Sequence, residues 1–152
     1  MEPTLPYISF DTPLGDYTVF EESGAIVVIE SGRAAGGKPT RLLNRTRKQI
    51  DEYFDRKRKR FEIPIAPPGT PYQVKVWNAI IRIPYGQTRS YGDIAHDTDS
   101  GPRAVGTACR ECPISILIPC HRVIGAGGRI GGWSSISGLD GKRALLRLEG
   151  AL

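Results

Sequence analysis

The apolar positions near the start of the chain fall in three short runs, 4–11, 16–21 and 25–30, which read as strands. Ser23-Gly24 supplies the turn between the last two, and Ala25-Ile26-Val27-Val28-Ile29 is the most strand-like run of this half. The stretch from Ala34 to Pro39 reads as a loop. From about Arg41 to Lys57 the spacing becomes helical: Leu43, Ile50 and Phe54 share a stripe, with Leu42 and Tyr53 flanking it. Phe61 to Pro71 carries Pro64, Pro67, Pro68 and Pro71 and reads as an extended linker. A helix then starts strongly. Thr70 caps it, Pro71 suits its first position, and Gln73 completes a capping box. Its stripe is Val74, Trp77 and Ile81, and Ile83-Pro84-Tyr85-Gly86 ends it. Ser90 caps a short helix with Asp93 three residues on, and Tyr91, Ile94 and Ala95 face inward. After the turn Asp99-Ser100-Gly101, Pro102 opens a third helix that runs to about Arg110. Two short helices about a tight turn suggest a helix-turn-helix. A final amphipathic helix, about Asp140 to Glu149, directs Ala144, Leu145 and Leu148 to the core, and Gly150 stops it. The pattern predicts an α+β chain: a small sheet-plus-helix domain over residues 1–60, a linker over 61–70, and a mostly helical domain over 71–152.

One apolar run stands apart. Ile116-Leu117-Ile118 reads as a buried strand that stops at Pro119 and then presents Cys120, His121 and Arg122. In a plain strand Cys120 and His121 would point to opposite faces. For the two to cooperate, the chain must leave strand geometry at Pro119, or a water must join them. The alternative is a structural thiol beside a satisfied histidine. The third helix is also unusual in its small residues, Ala104, Gly106, Thr107 and Ala108, between Arg103 and Arg110. Gly106 costs that helix roughly 1 kcal/mol relative to alanine. Either another helix packs very closely there, or the helix lies against a nucleic-acid groove with Arg103 reaching out. Glu149 sits at a helix C-terminus, where the dipole disfavours a negative charge, so either it has a cationic or hydrogen-bonding partner or it is an exposed terminal carboxylate. Residues 125–135 are glycine-rich around Trp133 but lack the Gly-Lys-Ser/Thr of a phosphate loop.

Charge and composition narrow the setting. The chain has 152 residues and a net charge of +5. Residues 1–70 carry 11 Lys+Arg against 10 Asp+Glu, or +1; residues 71–152 carry 10 against 6, or +4. The basic excess therefore lies with the cysteines and fits a polyanion partner. The run Arg56 to Arg60 reads as a solvated helix end. No apolar run approaches the ~20 residues of a membrane span, and Met1-Glu2-Pro3-Thr4 has no signal-peptide character. The expected location is cytoplasmic, nucleoid-associated in a prokaryote. Cys109, Cys112 and Cys120, an odd number in one segment, suit a reducing compartment better than a disulfide framework. Cys109-x-x-Cys112 could be a redox pair or half a zinc site, but with only His96 and His121 as further ligands no metal or other cofactor is expected.

Ile118-Pro119-Cys120-His121-Arg122-Val123 resembles the active-site signature of the O6-alkylguanine-DNA alkyltransferases. Gly69-Thr70-Pro71-Tyr72-Gln73, Val76-Trp77, Ile83-Pro84-Tyr85-Gly86, Ser90-Tyr91, Arg103-Ala104-Val105-Gly106 and Leu148-Glu149-Gly150 resemble the family's other motifs, in its order. The likeness is strong over about 69–150; the first 60 residues match the family's ribonuclease-H-like domain only in layout. It implies DNA repair by single-turnover transfer of an alkyl group from guanine O6, and from thymine O4, to Cys120 after base flipping. His121 would take the Cys120 proton, through a water, and Glu149 would orient His121. Tyr91 would assist the leaving base and crowd a phosphate. Arg103, Ala104, Gly106 and Thr107 would meet the minor groove, with Arg103 filling the gap left by the flipped base. Val123, Trp133 and Ser134 would line the base pocket, where the family commonly has Tyr-Ser. The implied partner is duplex DNA carrying O6-alkylguanine, with no membrane, and the protein a monomer. A related class binds alkyl lesions without transfer, but it typically replaces the nucleophile, which is present here as Cys120. One position departs from the pattern: Cys112 stands where the family has a hinge asparagine that hydrogen-bonds across the turn into the active site.

Overall fold

The computed structural model describes residues 5–130 and 138–152, and the chain divides into two compact units, Met1–Pro67 and Pro68–Leu152. The first holds an antiparallel sheet, β1 (Tyr7–Thr12), β2 (Gly15–Glu22) and β3 (Ala25–Ser31), in the order β1-β2-β3. Ser23 (φ 50°) and Gly24 (φ 82°) both sit at positive φ, as a two-residue hairpin turn of matching twist requires. Helix α1 (Arg41–Phe54) is capped by Thr40, whose hydroxyl accepts from Leu43 N at 3.0 Å. Phe10, Tyr17, Val19, Ile26 and Ile29 of the sheet are buried, as are Leu43, Ile50 and Tyr53 of α1.

Three expectations change in this unit. Helix α1 ends at Phe54, and Tyr53 rather than Phe54 is the buried aromatic. The run Arg56 to Arg60 therefore follows the helix instead of ending it, and Arg56 turns the chain at φ 60°. The proline-rich stretch is not a free linker over its full length. Ile26 N donates to Pro64 O and Ala66 N to Ile26 O, both at 2.9 Å, so residues 64–66 run beside β3. Proline is tolerated there because this is a sheet edge.

The second unit begins with α2 (Pro71–Ile81), and its capping box forms as expected: Gln73 N donates to Thr70 Oγ1 at 3.1 Å and Thr70 N to Gln73 Oε1 at 2.9 Å. The buried stripe is Val76, Trp77 and Ile80, while Ile81 is 40% exposed. Trp77 Nε1 donates to Ala108 O at 2.9 Å and so ties α2 to a later helix. Gly69 is required by the same ring, since a Cβ there would lie 2.5 Å from it. Helix α3 (Tyr91–Asp97) carries the Ser90–Asp93 capping box, with both bonds at 2.9 Å. Asp99 at φ 53° turns the chain into α4 (Pro102–Arg110), which packs on α3 and completes the helix-turn-helix.

Residues 116–118 form no strand. Ile116 adopts φ 73°, Leu117 N donates to Ser115 O at 2.9 Å, and Ile118 N to Ile114 O at 3.1 Å. Ile114, Ser115, Ile116, Leu117 and Ile118 are nonetheless buried. An apolar run of this length needs burial, and a tight turn supplies it without a partner strand. Past Pro119 a single 3-10 turn spans Cys120–Arg122, closed by Arg122 N to Pro119 O at 2.9 Å. Strand geometry is thus abandoned before the Cys-His pair. The chain then forms β5 (Val123–Ile124), parallel to β4 (Arg89–Ser90), with Arg89 opposite Val123 and Ser90 opposite Ile124. That pairing sets the residues just past the 3-10 turn against the residue that caps α3. Helix α5 (Gly138–Leu148) buries Leu145, Leu146 and Lys142; Leu148 is half-buried. No helix among the described residues is long and apolar enough to cross a membrane.

Candidate active site

The site is built behind the 3-10 turn. His121 is wholly buried, and its Nε2 lies 2.8 Å from Glu149 Oε2. Arg122 clamps the same carboxylate: Nε donates to Oε1 at 2.8 Å and Nη2 to Oε2 at 3.0 Å. Its remaining arm, Nη1, donates to Ile83 O at 2.7 Å, and the guanidinium lies 5.8 Å from the centre of the Tyr85 ring. Tyr85 in turn donates to Leu148 O at 3.2 Å, fixing the end of α5 that carries Glu149. Glu149 at the helix end therefore has both kinds of partner that its position demanded.

Electrostatics assigns the protons. Burial pushes the Glu149 carboxyl up, but the hydrogen bonds from His121 and Arg122 outweigh it and hold the group down at about 2. Burial lowers His121, against the pull of Glu149, and the Arg122 and Lys142 charges lower it further. An ionised carboxylate only accepts hydrogen bonds. Nε2 must therefore carry the imidazole proton, which leaves the Nδ1 lone pair free of a proton and able to accept one.

Both shifts give the same pH dependence. A carboxyl depressed below its ordinary value of ~4.3 stabilises fully above that value and loses the contribution as pH falls toward 2. A histidine held neutral stabilises fully above ~6.5 and loses its contribution on acidification. The urea midpoint should fall between pH 7 and pH 3, less steeply in Glu149→Gln. A midpoint that is flat or rises over that range would contradict the assignment.

Cys120 is 2% exposed, and Cys109 and Cys112 are its neighbouring thiols. These neighbours and burial raise its pKa well above that of an ordinary thiol. Cys109 is buried in the last turn of α4; Cys112 is half-buried just beyond it, with its N–H 3.4 Å from Cys109 O. A thiol so raised is a poor nucleophile until a base removes its proton.

Lys142, which the sequence pattern did not single out, is 1% exposed. Its Nζ donates to Val123 O at 2.7 Å, lies 3.5 Å from Tyr91 Oη, and stands 5.7 Å from the Tyr91 ring centre. Burial raises the Tyr91 phenol to about 12, so it remains a hydrogen-bond donor at neutral pH. Arg103, Ala104, Thr107 and Arg110 form the exposed face of α4, whereas Val105, Ala108 and Cys109 face inward. The smallness of Ala108 therefore belongs to packing under Trp77, not to an outer surface. A methyl at Gly106 would meet Tyr91 Cε1 at 3.9 Å, an ordinary contact, so packing within the unit does not require glycine there. Trp133 and Ser134 lie outside the described residues.

Sequence comparison matches residues 5–67 to the ribonuclease-like domain, and 71–151 to the DNA binding domain, of 6-O-methylguanine DNA methyltransferase. A methylated-DNA–protein-cysteine methyltransferase of Methanosarcina acetivorans is 49% identical over 106 residues, which cover 68% of this chain and 67% of that one. The constitutive methylated-DNA–protein-cysteine methyltransferase of Bacillus subtilis is 38% identical over 156 residues, 94% of each chain. Among solved structures, Mycobacterium tuberculosis OGT in complex with DNA superposes with a TM-score of 0.85 at 36% identity, covering 95% of this chain and 92% of that one.

Proposed function

The chain belongs to the 6-O-methylguanine DNA methyltransferase family, and from that premise we propose how its own residues carry out repair. The reaction is direct transfer of an alkyl group from guanine O6, or thymine O4, in duplex DNA to Cys120. The observation that carries this reading is the buried His121–Glu149–Arg122 network, which begins at the residue after Cys120 in the same 3-10 turn. His121 Nδ1 takes the Cys120 proton, through a water, and the resulting imidazolium is stabilised by Glu149. This is the nucleophile, base and orienter arrangement of a catalytic triad. The thiolate then attacks the alkyl carbon. A C–S bond forms, the C–O bond breaks, and the electron pair passes to the base, where the Tyr91 hydroxyl supplies a hydrogen bond. Nothing in this chemistry returns the thiol, so each molecule acts once.

The target base must leave the stack to reach a sulfur that is only 2% exposed, at a cost of a few kcal/mol. The outer face of α4 suits the minor groove: Ala104 and Gly106 keep the backbone close, and Arg103, exposed in the first turn, reaches into the gap. Val123 lines the base pocket, and Cys112 stands at the hinge. The protein works as a cytoplasmic monomer. The test is mass spectrometry after incubation with duplex DNA containing O6-methylguanine. The tryptic peptide Glu111–Arg122 should gain one methyl group, on Cys120. Folded, DNA-binding protein with no added mass would refute alkyl transfer and leave lesion binding alone.

A further inference from the structure

We propose that Gln73 and Glu111 are a positioning pair for alkyl transfer: together they hold the entry to the active-site turn against the start of α2. Their effect on rate rests on the alkyl-transfer reading. One amide side chain is used at both ends. Gln73 Oε1 accepts from Thr70 N at 2.9 Å, which closes the capping box of α2. Gln73 Nε2 donates to Glu111 Oε2 at 2.5 Å, across 38 residues of chain. A helix cap needs only the first of these bonds. The second reaches Glu111, the residue that caps the C-terminus of α4 and leads into the segment ending at Cys120.

A neighbouring bond makes this attachment directional. Trp77 lies one helical turn after Gln73 on the same face of α2, and its Nε1 donates to Ala108 O at 2.9 Å, just before Glu111 on α4. Two attachments a turn apart fix both the position and the direction of the end of α4. The far side of the active-site turn is held from the other end of α2, where Arg122 Nη1 donates to Ile83 O at 2.7 Å. Between these anchors the chain bonds to itself: Leu117 N to Ser115 O, Ile118 N to Ile114 O and Cys120 N to Ile118 O, at 2.9, 3.1 and 2.8 Å. Such a segment moves as a body, so the ties at its two ends set its place. Slack at Glu111 would misplace the Cys120 sulfur against an incoming alkyl carbon. That slows transfer although no reacting atom is touched.

A donor–acceptor swap tests the pair. Gln73→Glu keeps the acceptor that Thr70 N requires, and glutamate suits the first turn of a helix, so the cap survives. The change removes the donor and sets a second carboxylate against Glu111. Adding Glu111→Gln restores the bond with its direction reversed. In Gln73→Glu, single-turnover transfer at saturating duplex should slow about three- to tenfold, the worth of one exposed hydrogen bond to a charged group. The amides of Leu117, Ile118 and Cys120 should exchange with deuterium faster, while those of Val76 and Ile80 inside α2 keep the parent rate. The double variant should bring transfer and exchange back to within about twofold of the parent. Transfer or turn exchange unchanged in Gln73→Glu, or a double variant as slow as the single, would overturn the proposal. So would exchange quickened equally throughout the second unit, which marks plain loss of stability. A parent that transfers nothing would instead count against alkyl transfer, and the exchange pattern alone would then decide whether the pair ties the turn.

Discussion

Cys120→Ser should abolish alkyl transfer and leave duplex binding within a factor of about two to three, ~0.5 kcal/mol. The two atoms are similar in size, and the side chain is 2% exposed, so the turn keeps its shape. The chemistry does not survive. Displacement at an alkyl carbon needs an anion or a highly polarisable atom, and an alcohol is a far weaker acid and a harder atom than a thiol. His121, held below its ordinary pKa by burial, cannot make up that difference in acidity. The exposed face of α4 does not include residue 120, so its side chains are untouched. Mass spectrometry and a binding titration on the same preparation provide the check. Residual transfer in this variant would mean that Cys109 or Cys112 can accept the alkyl group and that Cys120 is not the sole nucleophile.

Arg122→Ala carries the second large effect, on stability and rate together. Removing one partner from a buried ion pair strands the other charge and costs about 3–5 kcal/mol. Here the stranded group is Glu149, which would lose the Arg122 donors at both carboxylate oxygens, and Ile83 O would lose its donor too. The Glu149 carboxyl then rises from about 2, because only His121 is left to oppose burial, and its hold on the His121 tautomer weakens. Urea unfolding should show the stability loss. Single-turnover transfer, measured where the variant is still folded, should show the slower rate. Arg122→Lys should recover only part of each, since one ammonium cannot span both carboxylate oxygens and a carbonyl. A variant as stable and as fast as the parent would sink the clamp.

Local rules located much of the fold. The caps at Thr70-Pro71-Gln73 and Ser90-Asp93, and the Ser23-Gly24 turn, act through neighbouring atoms and can be read directly. The phase of α2 could not. Val74, Val76, Trp77, Ala79, Ile80 and Ile81 crowd eleven residues, so more than one stripe fits, and packing under α4 chose Val76-Trp77-Ile80. Ile116-Leu117-Ile118 was misread as a strand because an apolar run reports burial, not backbone direction. Glu149 was legible through its conflict with the helix dipole, and the resemblance supplied His121 as partner. Arg122 and Lys142 were missed because arginine and lysine are mostly exposed in proteins. The available signal for Arg122 was its place beside His121; for Lys142 it was the glycine before it, buried with it in α5.

Ile116 gives the turn a mechanical character. A β-branched residue at φ 73° is an outlier that costs of order 1–3 kcal/mol, and it persists because the side chain is 2% exposed and locked in the core. The segment four residues before the nucleophile is therefore a tensioned spring, not slack chain. When Cys120 gains extra atoms in a site already closed around its sulfur, the cheapest relief is to let that tension go. The spent protein would then open first at the Ile116 turn, with β5 and its partner strand β4, beside the Ser90 cap of α3, next in line to yield.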